Sequence, residues 1–194
     1  MTFMQLTALR TALVLALMPV CAALFSAPAA AQYERDTYST EEIVSKGHKF
    51  FGTTSRELAT LVEHAGSRWG RPNGYILGQE GSGAIGVGLR YGDGKLYMKD
   101  GERSVYWQGP SVGFDLGGEG ARTMILVYNL PGPDSILRRF PGVNGSAYIV
   151  GGLGMTALAI DGVVLVPIQT GVGARFGVNV GYLKFTPRGT WNPF

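Results

Sequence analysis

From Asn73 to the C-terminus, apolar residues alternate with polar residues or glycine at a period of two, the rhythm of strands whose successive side chains leave opposite faces. In the longest such run, Gly171 to Tyr182, the odd positions hold glycine, Arg175 and Asn179, and the even ones hold Val, Ala, Phe and Tyr. Ser82 to Tyr91 sets Gly86, Gly88 and Arg90 opposite Ile85, Val87, Leu89 and Tyr91. Ser111 to Gly117 sets Ser111, Gly113, Asp115 and Gly117 opposite Val112, Phe114 and Leu116. The apolar face is expected to build the core, leaving the other nearly bare backbone. Asn73-Gly74, Asp93-Gly94, Asp100-Gly101, Asn144-Gly145 and Asp161-Gly162 are hairpin signals, because these residues tolerate positive φ. The runs Lys95 to Met98, Ser104 to Trp107, Thr156 to Ile160 and Val163 to Ile168 between them are β-branched or aromatic.

Helical signals are few. Thr40 to Ser45 fits a short helix. Thr54-Ser55-Arg56-Glu57 reads as a capping box opening an amphipathic helix of about three turns, with Leu58, Leu61, Val62 and Ala65 on one face and Gly66 as its stop. A third short helix is expected after Pro133, with Asp134 capping Ser135 to Phe140 and Pro141-Gly142 ending it. The predicted fold class is mainly β: a small antiparallel barrel of about ten glycine-rich strands, with one or two short helices near the N-terminus and one mid-chain.

The first 31 residues have a different character. Arg10 is followed by an apolar run from Thr11 to Phe25 and then by Ala27-Pro28-Ala29-Ala30-Ala31 before Gln32. This is the pattern of a secretory signal peptide, with cleavage expected between Ala31 and Gln32. The alternative, an uncleaved anchor, needs about 20 apolar residues and is opposed by the break at Pro19. The single cysteine, Cys21, lies in this segment without the small residues that precede a lipidated cysteine, so the processed chain has no thiol and needs no disulfide. Residues 32–39 read as a flexible tail and residues 40–194 as a single domain. An exported protein, not integral to the membrane after processing, follows from this reading.

Composition sharpens the picture in two ways. All 30 glycines fall after residue 31, giving about 18% of the remaining chain against a usual value near 7%. Glycine within a strand costs about 0.5–1 kcal/mol relative to alanine, so its abundance implies a geometric demand: creases in a tightly coiled barrel, or close approach of another segment. The formal charge of +3 is distributed without blocks, which gives no nucleic-acid footprint.

The motifs that resemble catalytic ones lack their contexts. Gly81 to Gly86 matches GxGxxG, but a strand pattern follows where a dinucleotide site needs a helix. Gly109 to Gly113 matches GxSxG, yet strand alternation follows Ser111, and both histidines, His48 and His64, precede it. Two histidines without a cysteine make no metal set, and no cofactor is implied. The candidate binding residues are Arg90, Asp115 and Arg175, which fall on the glycine-rich faces; as neighbours they would form an ion cluster with a spare positive charge for an anionic head group, with bare glycine walls leaving room for a ligand. Arg138 and Arg139 beside Phe140, and Arg68 and Arg71 beside Trp69, are smaller basic-aromatic patches.

GRPNGYILGQE (Gly70 to Glu80), YWQGPSVGFDLGGEG (Tyr106 to Gly120), MILVYNLP (Met124 to Pro131), RFPGVNGSAYIVGGLG (Arg139 to Gly154) and GVGARFGVNVGYLKFTP with the terminal TWNPF resemble the envelope integrity protein A family of alphaproteobacterial periplasmic proteins. The resemblance runs from about Tyr38 to Phe194. It implies a barrel-like antiparallel domain, export, a role in cell-envelope integrity, and no catalytic residues to carry over. A fainter similarity, Gly81 to Gly154, is to SYLF-type lipid-binding domains. The expected function is therefore non-enzymatic support of the envelope through an envelope lipid, glycan or protein. The alternative is an envelope hydrolase or transferase using Ser111 or an unrecognised carboxylate.

Overall fold

The computed structural model describes residues 36–53, 55–115, 121–170 and 181–192, with side chains described at all of these except 82–87, 111–115 and 170. Among the described residues two helices come first, α1 (Thr40–Phe51) and α2 (Arg56–Trp69). Nine strands follow among the described residues: β1 (Gly74–Met98), β2 (Gly101–Asp115), β3 (Ala121–Tyr128), β4 (Arg139–Pro141), β5 (Tyr148–Val150), β6 (Leu153–Met155), β7 (Leu158–Ile160), β8 (Val163–Thr170) and β9 (Tyr182–Thr186). They form one antiparallel sheet in the order β4-β9-β2-β1-β3-β8-β6-β5, with β7 also on β8. The expectation of a mainly β, barrel-like domain holds.

The long β1 folds back along itself. A Cβ on Gly78 would collide with Asp93 O and Gly94 Cα, and one on Gly94 would meet Leu77 O. Residues 74–80 therefore run beside residues 92–98, with β3 on the first leg and β2 on the second. Asp93-Gly94 is thus no hairpin turn: it lies within a strand, where glycine is required for close approach. Asp100-Gly101 and Asp161-Gly162 do turn the chain. Met98 pairs with Gly101, and Ile160 with Val163. Asp161 and Gly162 have φ of 50° and 79°, the doubly positive pair that a two-residue hairpin demands.

The sheet curls until its edges meet. Gly142, just after β4, bridges Leu158 at the start of β7, and Val143 N donates to Ala157 O at 2.8 Å. Ser146 pins this seam: its hydroxyl donates to Val143 O at 2.6 Å and accepts from Ala157 N at 2.9 Å.

Curling divides the apolar residues into two layers. Ile76, Leu96, Val105, Trp107, Ile125, Val127, Phe140, Leu165, Leu183 and Phe185 fill the inside. Tyr75, Met124, Leu126, Tyr128, Val166 and Ile168 face outward and meet Ile43, Leu58, Leu61, Val62 and Ala65 of the helices. β3 is buried on both sides, which is why MILVY reads as a continuous apolar run.

Both helices differ in extent from expectation. α1 runs the full length to Phe51 because Ser39 and Glu42 form a reciprocal capping box and Gly52, at φ 77°, closes it. The cap of α2 is Ser55, which accepts from Leu58 N; Thr54 lies outside the described residues. Gly66 stays helical, and the helix ends at Gly70. Thr37 and Tyr38 are not a tail. Tyr38 N donates to Pro72 O at 2.8 Å, and its ring packs edge-on to Tyr75, which in turn stacks on Tyr97. Burial, reinforced by Tyr75, Glu42 and Asp100, pushes the Tyr38 phenol up to about 12.

The expected mid-chain helix is only a short 3-10 turn, Pro133–Ile136. Arg139 and Phe140 instead pair with Lys184 and Leu183 in β9, because burying Phe140 inside the curl requires an extended chain there. The expected signal peptide, with Ala31 and Gln32, and the alternating run from 171 to 180 lie outside the described residues. Among the described residues, no helix is long and apolar enough to cross a membrane.

Candidate functional site

The indole of Trp107 organises the inside of the curl. It lies against Gly92 and reaches Gly78, neither of which has room for a Cβ. These glycines, with Gly94, share the inward phase of Ile76 and Leu96. This corrects the reading of the glycine faces at the described positions. The glycine phase points inward, and the space it leaves is filled by the indole and by neighbouring backbone, with no room left for a ligand. The intervening Leu89 and Tyr91 are outward and half-buried, and Tyr91 packs against the exposed Trp191.

Beyond Trp107 the interior becomes polar. Glu80, only 4% exposed, accepts from Trp107 Nε1 at 2.7 Å and from Gln169 Nε2 at 2.8 Å. Arg90 Nη1 stands 3.9 Å from the same carboxylate, across the two legs of β1. A buried carboxylate is tolerated when it is hydrogen-bonded and charge-compensated in this way. Arg90 Nε is buried without a hydrogen-bond partner among the described residues.

Of the anticipated trio, the structure describes Arg90 and the backbone of Asp115. Arg90 pairs with Gly109, whereas Asp115 pairs with Ala84, so six residues, about 20 Å of strand, separate their rungs. The Asp115 side chain and all of Arg175 lie outside the described residues. The acid beside Arg90 is Glu80. Sequence reasoning missed it, although Glu80 carries the inward phase of Ile76 and Gly78 and is the only acid of the first leg.

Arg138 and Arg139 also part company. Arg138 Nη1 donates to Asp161 Oδ2 at 3.0 Å and its guanidinium lies over Phe140, tying β4 to the β7–β8 turn. Arg139 is exposed and stacks 4.5 Å from the Tyr182 ring centroid. His48 Nε2 accepts from Ser55 N at 3.2 Å and latches the two helices, while His64 stacks on Tyr148 at 4.1 Å. Arg68 lies over Trp69, and Arg71 Nε donates to Tyr38 O at 3.4 Å. No cluster of three metal-binding side chains occurs among the described residues. Gly81 to Gly86 is strand, and β2 continues past Ser111 to Asp115, so neither glycine motif opens a helix.

The outer face holds a different kind of surface. A groove of about 440 Å³ crosses the two legs of β1, with Phe50 at the end of α1 and Arg122 of β3 on one side and Ser104 and Tyr106 of β2 on the other. Its floor is the backbone of Gly78 and Gly94, and Gln79, Asp93 and Lys95 project beside it. Gln79 pairs with Arg122 and Asp93 with Tyr106, so one row of polar side chains spans four adjacent strand legs. Arg122 Nη1 donates to Phe50 O at 2.8 Å, and Lys95 pairs with Glu102.

Residues 36–194 match the model of the family described as envelope integrity protein A. The crystal structure of a β-barrel-like, uncharacterised protein from Brucella abortus is similar at 54% identity and a TM-score of 0.75, covering 82% of this chain and 99% of that one. Comparison with curated proteins finds no match.

Proposed function

Since the chain belongs to the envelope integrity protein A family, we propose that it is an exported, non-enzymatic protein of the periplasm that supports the envelope by binding one of its components, a lipid, a glycan or another protein. The family's name carries the envelope role. What supports binding over catalysis is how the polar groups are divided. Glu80 inside the curl is committed to Trp107 and Gln169, and these two neighbours in β2 and β8 thereby hold it in place. Gln79, Asp93, Ser104 and Arg122, by contrast, are exposed around a concave outer surface. Convergent polar groups on a concave surface are the usual anatomy of a binding site.

Complementation tests this reading. Cells lacking the protein are challenged with detergent and supplied with Ser111→Ala or Asp115→Asn protein at wild-type levels. Full rescue by both is expected. Loss of rescue by a folded variant would favour a hydrolase or transferase. Mass spectrometry of the periplasmic fraction is expected to find a chain starting at Gln32, and retention of residues 1–31 would overturn export by a cleaved signal.

A further inference from the structure

We propose that the outer groove is a saccharide-binding site, in which an oligosaccharide strand of the envelope lies across the row Arg122, Gln79, Asp93 and Tyr106. This deepens the binding reading above and rests on it.

The row has the chemistry that a polyhydroxylated ligand requires. Arg122 offers donors only, the Asp93 carboxylate acceptors only, and the Gln79 amide and Tyr106 phenol both. Vicinal hydroxyls, each donor and acceptor at once, are matched by such planar groups at regular intervals. The strand ladder supplies the interval: neighbouring legs lie about 4.8 Å apart, so four legs present the row over about 14 Å, the reach of a few linked sugar rings. Gln79, Asp93, Ser104 and Tyr106 make no side-chain hydrogen bond to another residue that would have to be broken first, among the described residues. The half-buried rings of Phe50 and Tyr106 flank the row and give the apolar C–H faces of a pyranose something to rest on.

Two observations turn the assignment away from other ligands. A peptide that binds by extending a sheet needs a free strand edge, and the groove instead presents a sheet face, with Gln79 paired to Arg122 and Asp93 to Tyr106 beneath it. An acyl chain needs an apolar slot, whereas this floor is backbone. The close approach of Gly78 and Gly94 is what lowers the floor and makes the surface concave.

The test is titration of isotope-labelled protein, recovered from cells as the whole exported chain, with a peptide-free glycan tetrasaccharide from peptidoglycan, with maltoheptaose and with anionic phospholipid vesicles. Binding of at least one saccharide is expected, with amide shifts centred on Gln79, Asp93, Ser104 and Tyr106. Asp93→Asn and Gln79→Ala, both exposed and remote from the core, are each expected to weaken it at least tenfold while the melting temperature stays unchanged. Absence of saccharide shifts together with vesicle binding would overturn the saccharide assignment and leave the envelope-binding reading standing. Saccharide binding insensitive to both variants would overturn the location. Binding to neither saccharide nor vesicle would overturn the saccharide assignment, and loss of rescue by folded Ser111→Ala or Asp115→Asn protein would remove the binding reading itself.

Discussion

On one side of β3, Met124, Leu126 and Tyr128 meet the two helices; on the other, Ile125 and Val127 enter the layer around Trp107. The two layers share a strand and are assembled differently. The outer layer is a pair of amphipathic helices laid on a sheet, held by separable devices: the Ser39–Glu42 cap, the His48–Ser55 latch and the Tyr38–Tyr75–Tyr97 stack. Each can be removed with the rest in place. The inner layer depends on backbone segments so close that three glycine positions exclude even a methyl group, and its largest side chain is hydrogen-bonded to a buried acid. There, packing, backbone path and polar satisfaction are one arrangement. The lesson is that tolerance to substitution should follow the layer and not the degree of burial.

The harshest way to break this contrast is Gly94→Val. Its side chain would have to occupy the space of Leu77 O and the Gly78 backbone, which cannot move without parting the two legs of β1. More than about 3 kcal/mol of destabilisation is expected, at or beyond the upper end for overpacking. Urea denaturation should show no cooperative native baseline; a variant that melts like wild type would refute the folded-back reading of β1. In the outer layer, Leu61→Ala removes a fully buried side chain and should cost about 3 kcal/mol while the protein still folds, as measured by the urea midpoint. Trp107→Phe keeps most of the inner volume but strands one oxygen of Glu80. A loss of about 2 kcal/mol is expected, and Glu80→Gln in the same chain should restore part of it, so the double-mutant cycle reads the coupling. Ser39→Ala removes only a cap and should cost about 1 kcal/mol.

The smallest effect expected is that of pH on the same cap. The Ser39 backbone N–H, and then Lys99, hold the Glu42 carboxyl below the usual carboxylate range. A folded-state value below the unfolded one means that the contribution is fully present above about pH 4.3 and is lost as pH falls through the folded value. The melting temperature of wild type should therefore fall more steeply below pH 4.3 than that of Glu42→Gln, and parallel curves would show that the cap carries no such linkage.

How much of this was legible depends on whether the cause was local. The Asp161-Gly162 turn could be read directly, since two positive φ values in succession are a demand the dipeptide itself meets. Asp93-Gly94 has the same letters and a different task, set by a segment some sixteen residues upstream, which no local reading contains. The barrel-like class was visible in the two-residue period, but the direction of its faces was not. Glycine opposite leucine looks like a bare outer surface until Trp107, on another strand, is seen to fill the hollow. The ion partner of Arg90 was hidden in the same way, because the fold-back of β1 makes Glu80 its neighbour. The outer row escaped notice for a simpler reason: Gln79, Asp93, Tyr106 and Arg122 belong to four different legs and form no motif in the sequence.

Among the described residues one rung, between Gly142 and Leu158, joins the two edges, and it gives the curled sheet a direction of failure. The neighbouring pairs around it, from β4 with β9 to β8 with β7, share at least three rungs each. Thermal breathing should therefore part the wall along this one line, letting water in sideways past Ser146 while the helices stay docked. Amide protons of Val143 and Ala157 would then exchange with deuterium long before those of Ile125 or Leu126.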